Sequence, residues 1–75
     1  MPVMKEEFLE RIAEVLEVPA IGWTDEFRSV PMWSSLTGFA LVVLLDQQYG
    51  KHVTPADLQP LRTVADLAAL VGIAS

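Results

Sequence analysis

Two adjacent hydroxyl side chains, Ser34 and Ser35, stand just before the most apolar run of the chain, which extends from Phe39 to Leu45. If that run belongs to a helix, the serines lie at its N-terminus, where unpaired backbone N–H groups carry partial positive charge. An anion, including a phosphate attached through a serine oxygen, is stabilised at such a position. The pattern predicts either an anion-bearing serine or a simple helix cap, because serine is also among the best N-cap residues.

A catalytic use of these serines would require a base, and the chain has one histidine, His52. A Ser-His-Asp set can be written from Ser34 or Ser35, His52 and Asp57. It would need a cleft of roughly 300–1,000 Å³ around converging side chains, which so short a helical chain can hardly enclose. The chain contains no cysteine, and His52 has no acid cluster beside it. We therefore predict neither an enzyme nor a metal site.

The first helix is predicted over residues 3–17 from apolar residues at helical spacing. Its apolar face comprises Phe8, Ile12, Val15 and Leu16. Pro19 and Gly22 are expected to end it. The following stretch, 18–34, has no clear period, and a connection of this length is usually functional or held by its own apolar residues. Those residues are Ile21, Trp23, Phe27 and Val30.

The second helix is predicted over 35–49, with Gly50 as a left-handed C-terminal cap. It is apolar over most of its circumference, which predicts burial against several neighbours. Two further helix starts, Thr54-Pro55-Ala56-Asp57 and Thr63-Val64-Ala65-Asp66, each place a threonine three residues before an acid, as in a capping box. A proline between them limits the first to about one turn, and the last helix should end near Gly72. The expected fold class is all-α: a small helical bundle of three main helices plus one short helix.

Size and charge exclude several classes of protein. The 75 residues suit one domain over 1–75, and a hydrophobic content of 52% supports one modest core. Ten acidic against five basic residues give a net charge of −5, which disfavours nucleic acid as a partner. No apolar run approaches the roughly 20 residues that a membrane helix needs. We expect a cytoplasmic monomer that binds neither nucleic acid nor membrane.

The element order and several motifs resemble the acyl carrier proteins, in which the serine of an Asp-Ser-Leu motif opens the second helix. Ser35-Leu36 match that serine and leucine. The loop aromatic, the aromatic-glycine pair that closes helix two and the Thr-Val-x-Asp-Leu opening of the last helix are also matched. The corresponding residues are Phe27, Tyr49-Gly50 and Thr63-Val64-Ala65-Asp66-Leu67, and Trp33 stands where some carrier domains read Trp-Asp-Ser-Leu.

This resemblance implies that Ser35 accepts a 4′-phosphopantetheine arm from coenzyme A through a phosphopantetheinyl transferase. The arm's thiol would then carry acyl groups as thioesters between enzymes of fatty acid, polyketide or related specialised biosynthesis. The implied partners are acyl-activating or acyl-transferring enzymes, a ketosynthase or similar. Two alternatives stay open: an unmodified helical docking module with the same fold, and a peptidyl carrier domain.

Two departures from the family pattern bear on recognition. Ser34 replaces the usual aspartate, keeping a capping oxygen but losing the charge, which favours specialised metabolism over housekeeping fatty acid synthesis. Helix two has one acid, Asp46. Uncharged residues occupy positions where docking acids of the family could stand; these are Thr37, Ala40, Gln47 and Gln48. We therefore predict that partners recognise Trp33, Ser34, Leu36 and Val43, with weak dependence on salt.

Overall fold

The computed structural model describes residues 4–73, which contain four α-helices and one 3₁₀ turn. The helices are α1 (Met4–Leu16), α2 (Ser35–Tyr49), α3 (Pro55–Leu58) and α4 (Val64–Leu70), and the turn (Phe27–Ser29) interrupts the α1–α2 loop. Residues 4–73 contain no strand, so the predicted all-α bundle of three main helices and one short helix is confirmed. Residue 3, the predicted start of the first helix, lies outside the described range. Within that range no helix is both long and apolar enough to cross a membrane.

Helix α1 ends before the residues that were expected to stop it. Glu17 adopts the left-handed backbone conformation, with φ 60°. Its N–H donates to the carbonyl of Glu14 (3.1 Å), and the N–H of Val18 donates to the carbonyl of Ala13 (3.0 Å). These two bonds form a Schellman motif, which normally uses glycine at the left-handed position. The helix is therefore ended by Glu17, and Pro19 and Gly22 only follow it.

Glu17→Gly is expected to raise the free energy of unfolding by about 1 kcal/mol, because a left-handed conformation strains a residue that carries a Cβ. Urea unfolding followed by circular dichroism measures the change. Glu10→Gly is the matched control, since Glu10 is exposed in the middle of α1 and should lose about 1 kcal/mol there. A Glu17→Gly protein that unfolds at the same or a lower urea concentration would contradict this account.

One hydrophobic core unites the four helices and the 3₁₀ turn. Its large side chains with no exposed surface are Phe8, Ile12, Leu16, Phe27, Leu41, Leu45, Val64 and Leu67. The predicted apolar face of α1 is confirmed, with Val15 partly buried against the same core. The predicted helix caps also form: Gly50 has φ 67°, and the Asp66 carboxylate accepts from the N–H groups of Arg62 (2.9 Å) and Thr63 (3.1 Å). These hydrogen bonds hold the pKa of Asp66 below its usual value.

Helix α2 is less buried than its composition predicts. Of its large apolar residues, Leu41 and Leu45 are fully buried, whereas Leu36 is 80% exposed and Phe39 is 60% exposed. Helix α2 packs mainly against α1 and against the four-residue α3. Because α3 is so short, much of the first two turns of α2 faces solvent. The prediction that α2 is buried around most of its circumference is therefore wrong for its N-terminal half.

The α1–α2 loop is held by the four apolar residues predicted to anchor it. Phe27 is fully buried, and Ile21, Trp23 and Val30 pack partly buried against the core. The Trp23 ring stacks on that of Phe8, with 6.1 Å between ring centroids.

Backbone hydrogen bonds join the same loop to Arg62 and to the first two residues of α4, which the sequence did not predict. The N–H of Phe27 donates to the carbonyl of Arg62 (3.2 Å), and the N–H of Val64 donates to the carbonyl of Asp25 (3.0 Å). The N–H of Ala65 donates to the carbonyl of Trp23 (2.9 Å). These three bonds hold the middle of the α1–α2 loop against the start of α4.

Candidate functional site

The two serines that open α2 have different roles. Ser34 is the N-cap, in extended conformation, and Ser35 is the first residue of the helix. The Ser34 hydroxyl oxygen accepts from the N–H of Thr37 (3.4 Å), and the N–H of Ser34 donates to Thr37 Oγ1 (3.2 Å). Ser34 is thereby engaged in a reciprocal capping box. The Ser35 side chain is exposed and lies outside this box.

Thr37 does not lie on the outer face of α2, although its position was predicted to be one where a docking acid of the family could stand. Its side chain is buried, and its hydroxyl donates to the carbonyl of Met32 (3.2 Å). Thr37 therefore ties the helix start to the loop before it. The signal was present in the sequence as a hydroxyl residue three positions after Ser34, which is the spacing of a capping box.

The first turn of α2 leaves two backbone donors for an anion. The N–H of Gly38 donates to the Ser34 carbonyl (3.1 Å) and the N–H of Thr37 to the Ser34 hydroxyl. For the N–H groups of Ser35 and Leu36, residues 4–73 supply no acceptor. Free first-turn amides stabilise a phosphate at a helix N-terminus. The residues at this position thus fit a phosphate attached to the Ser35 hydroxyl.

A groove of about 390 Å³ opens beside Ser35, between α2 and α3. Its lining includes Trp33, Ser35, Gly38, Phe39, Leu58 and Gln59. The Trp33 ring meets the edge of Phe27, with centroids 5.8 Å apart and planes at 60°. A methyl group at position 38 would make an ordinary van der Waals contact with Trp33 at 3.5 Å.

Arg28 lines the same groove, and sequence reasoning did not single it out. Its Nη1 donates to the carbonyl of Leu61 (2.6 Å), and its Nη2 donates to the carbonyl of Leu58. The guanidinium carbon lies 4.6 Å from the centroid of the Phe27 ring and 5.9 Å from that of Trp33. Arg28 therefore fastens the loop to the end of α3.

Three large apolar residues within four positions of Ser35 have exposed side chains, and we call them the exposed apolar cluster. They are Met32, Leu36 and Phe39, which are 55%, 80% and 60% exposed. No charged residue occurs from 29 to 45. The predicted contact Leu36 belongs to this cluster, whereas Val43 is partly buried. Sequence reasoning missed Phe39 because it counted that residue as core.

The residues considered above as a Ser-His-Asp set, Ser34 or Ser35 with His52 and Asp57, are not seen to hydrogen-bond one another in the described residues. Asp57 Oδ2 accepts from the N–H of Thr54 (2.9 Å) and from its hydroxyl (3.2 Å), within the capping box in which Thr54 is the N-cap of α3. His52 is exposed in the segment between α2 and α3. In the part of the chain that the structure describes, no group of three or more His, Cys, Asp or Glu side chains is placed to bind a metal ion.

A family model described as a phosphopantetheine attachment site matches residues 6–71. The chain belongs to this family of phosphopantetheine-carrying domains. Its prosthetic group is 4′-phosphopantetheine, and such carrier domains generally perform no catalysis themselves. The match covers most of α1 and all of α2, α3 and α4. No curated protein and no solved structure shows significant similarity to this carrier domain.

Proposed function

We propose that this carrier domain bears its 4′-phosphopantetheine on Ser35 and presents acyl groups as thioesters of the arm's thiol. The observation that carries the proposal is that the two serines differ in their hydrogen bonding. Ser34 is engaged in the capping box with Thr37, whereas the exposed Ser35 hydroxyl adjoins two first-turn amides that have no acceptor in the described residues. Both serines are exposed, but the Ser34 oxygen is used by the cap, which leaves the Ser35 hydroxyl as the better acceptor for the arm.

Attachment forms a bond between Ser35 Oγ and the phosphorus of the pantetheine phosphate of coenzyme A. Adenosine 3′,5′-bisphosphate leaves, and a base of the transferase takes the hydroxyl proton. The carrier contributes the position of Ser35 and the amides of Ser35 and Leu36, which stabilise the phosphodiester charge. Because the chain contains no cysteine, the arm supplies the thiol for acyl transfer.

Partners are recognised mainly through the exposed apolar cluster of Met32, Leu36 and Phe39, with Trp33 beside it. Ser34 and Val43 remain predicted contacts. Recognition through apolar contacts is supported by the sequence, because no charged residue occurs from 29 to 45. Apolar area removed from water contributes about 25 cal/mol per Å² to such an interface. The proposed partners are a phosphopantetheinyl transferase and acyl-activating or acyl-transferring enzymes such as a ketosynthase.

The proposed pathway is a dedicated acyl transfer in specialised metabolism, of polyketide type or related. Two features support this over housekeeping fatty acid synthesis: Ser34 stands in place of the family's aspartate, and α2 carries a single acid, Asp46. Partners built for a strongly acidic α2 would find few ion pairs here, which reduces selectivity more than affinity.

The number of thiols per chain tests this function. The unmodified chain has none, so incubation with coenzyme A and a broad-specificity transferase should yield one thiol per chain by a colorimetric thiol reagent. Modification with acetyl-coenzyme A should instead yield a chain whose thiol appears only after hydroxylamine cleaves the thioester. If no thiol appears under conditions that modify a control carrier, the chain either requires a dedicated transferase or is an unmodified docking module.

A further inference from the structure

Arg28 is an exposed charged side chain that is nevertheless held in one position. Two backbone carbonyls, of Leu58 and Leu61, accept from its guanidinium, and the rings of Phe27 and Trp33 lie beside it. A guanidinium has five N–H donors in a rigid fork. The two carbonyls leave further N–H groups for another ligand, and the entropy of fixing the side chain is already lost in the folded protein.

The positive charge of Arg28 has no carboxylate partner in the described residues, because the ion pair there joins Arg62 and Glu26 (3.6 Å). Carbonyl oxygens accept hydrogen bonds but do not neutralise the charge. Arg11, another cation, contacts Gln48 and the Tyr49 ring at the opposite end of α2. Arg28 is the basic residue that lines the groove containing Ser35.

The phosphodiester that modification places on Ser35 is an anion in this same groove. We propose that Arg28 binds that phosphodiester, together with the backbone N–H groups of Ser35 and Leu36. This inference rests on the proposed function. Arg28 is well suited to the role because guanidinium donors match the spacing of phosphate oxygens.

The proposal also gives a physical reason for Ser34. A carboxylate at that position would lie one residue away from the phosphate and would repel it electrostatically. Serine keeps the capping oxygen, which the box with Thr37 uses, and adds no negative charge beside the phosphate.

The test compares melting temperatures of the unmodified and modified forms of wild type, Arg28→Gln and Arg62→Gln. Arg28→Gln lowers the melting temperature of the unmodified form, because the bonds to Leu58 and Leu61 are lost. The informative quantity is the change on modification. An exposed charge pair predicts that this change is lower in Arg28→Gln than in wild type by about 3 °C. The difference should shrink at 1 M salt. Arg62→Gln, whose side chain is exposed, should respond to modification as wild type does.

An equal change on modification in wild type and Arg28→Gln would overturn the role of Arg28. A second measurement avoids any folding defect: in wild-type protein with ¹⁵N-labelled arginine, the Nε resonance of Arg28 should shift on modification while that of Arg62 stays in place. No shift at Arg28 would also overturn the proposal. In both measurements the mass of the protein is recorded first. A chain that never gains the arm refutes the proposed function, whereas a modified chain without the Arg28 response refutes this inference alone.

Discussion

Phe27→Ala is expected to lower the free energy of unfolding by about 3–5 kcal/mol, the range for deleting a buried phenylalanine ring. Phe27 is fully buried, its ring contacts the Trp33 ring, and the Arg28 guanidinium lies over it. Small domains have total stabilities of about 5–15 kcal/mol, so much of this domain's stability should be lost. The loop would also lose the support that places Trp33 and Arg28 beside Ser35.

Urea unfolding followed by tryptophan fluorescence measures this effect. Met32→Ala is the matched control in the same loop, because its side chain is 55% exposed, and it should change the free energy by less than about 0.5 kcal/mol. If Phe27→Ala does not fold at all, Phe27→Leu should still fold and lose about 1–2 kcal/mol. A Phe27→Ala protein as stable as Met32→Ala would show that Phe27 does not anchor the loop.

Leu36→Asp is expected to raise the KM of a phosphopantetheinyl transferase for the unmodified carrier roughly 30-fold. The side chain is 80% exposed and adjoins Ser35, so a docked partner would cover it. Removing it forfeits about 2 kcal/mol of apolar burial, which corresponds to that factor. Phe39→Asp should have a similar effect, because Phe39 belongs to the same exposed cluster.

The Gln47→Asp variant tests whether the effect of Leu36→Asp comes from lost apolar contact or from added negative charge. It adds the same negative charge at an exposed position of α2 that lies far along the helix from Ser35, and it should change KM less than about twofold, as a rim charge does. Raising the salt concentration should likewise leave the KM of wild type nearly constant. A steep rise in KM with salt, or equal effects of Leu36→Asp and Gln47→Asp, would show that charge rather than apolar contact governs docking.

The positions of the helices could be predicted because their signals are local. Phe8, Ile12 and Leu16 recur at helical spacing and are all fully buried. Gly50 ends α2 in the left-handed conformation, and Thr63 and Asp66 cap α4 as their spacing indicates. Each of these depends on residues within a few positions of one another.

Features that depend on distant parts of the chain could not be predicted. The left-handed conformation of Glu17 has no signal in the local sequence, because a residue with a Cβ is strained there. Interactions elsewhere in the fold must compensate for that strain. The contacts of Arg28 with Leu58 and Leu61 join residues about thirty positions apart. Phe39 is exposed because α3 is too short to cover it, and its hydrophobicity alone indicated the opposite.

Ser35 alone was predicted as the attachment residue, because Ser35-Leu36 match the serine and leucine of the family motif. Ser34 was expected to supply a capping oxygen at the start of the same helix. The structure distinguishes them through Thr37, whose buried hydroxyl and backbone N–H pair with Ser34. Attachment of the arm at Ser35 stays a prediction, supported by the capping box that engages Ser34 and leaves Ser35 out.

The most direct test of the account is the site of attachment. Wild type, Ser34→Ala and Ser35→Ala would be incubated with coenzyme A and a broad-specificity phosphopantetheinyl transferase, and intact masses recorded, followed by fragmentation of the peptide around the serines. We expect one phosphopantetheine unit on wild type and on Ser34→Ala, with the added mass on Ser35, and none on Ser35→Ala. An arm on Ser35→Ala, or a fragment that places the added mass on Ser34, would contradict the account.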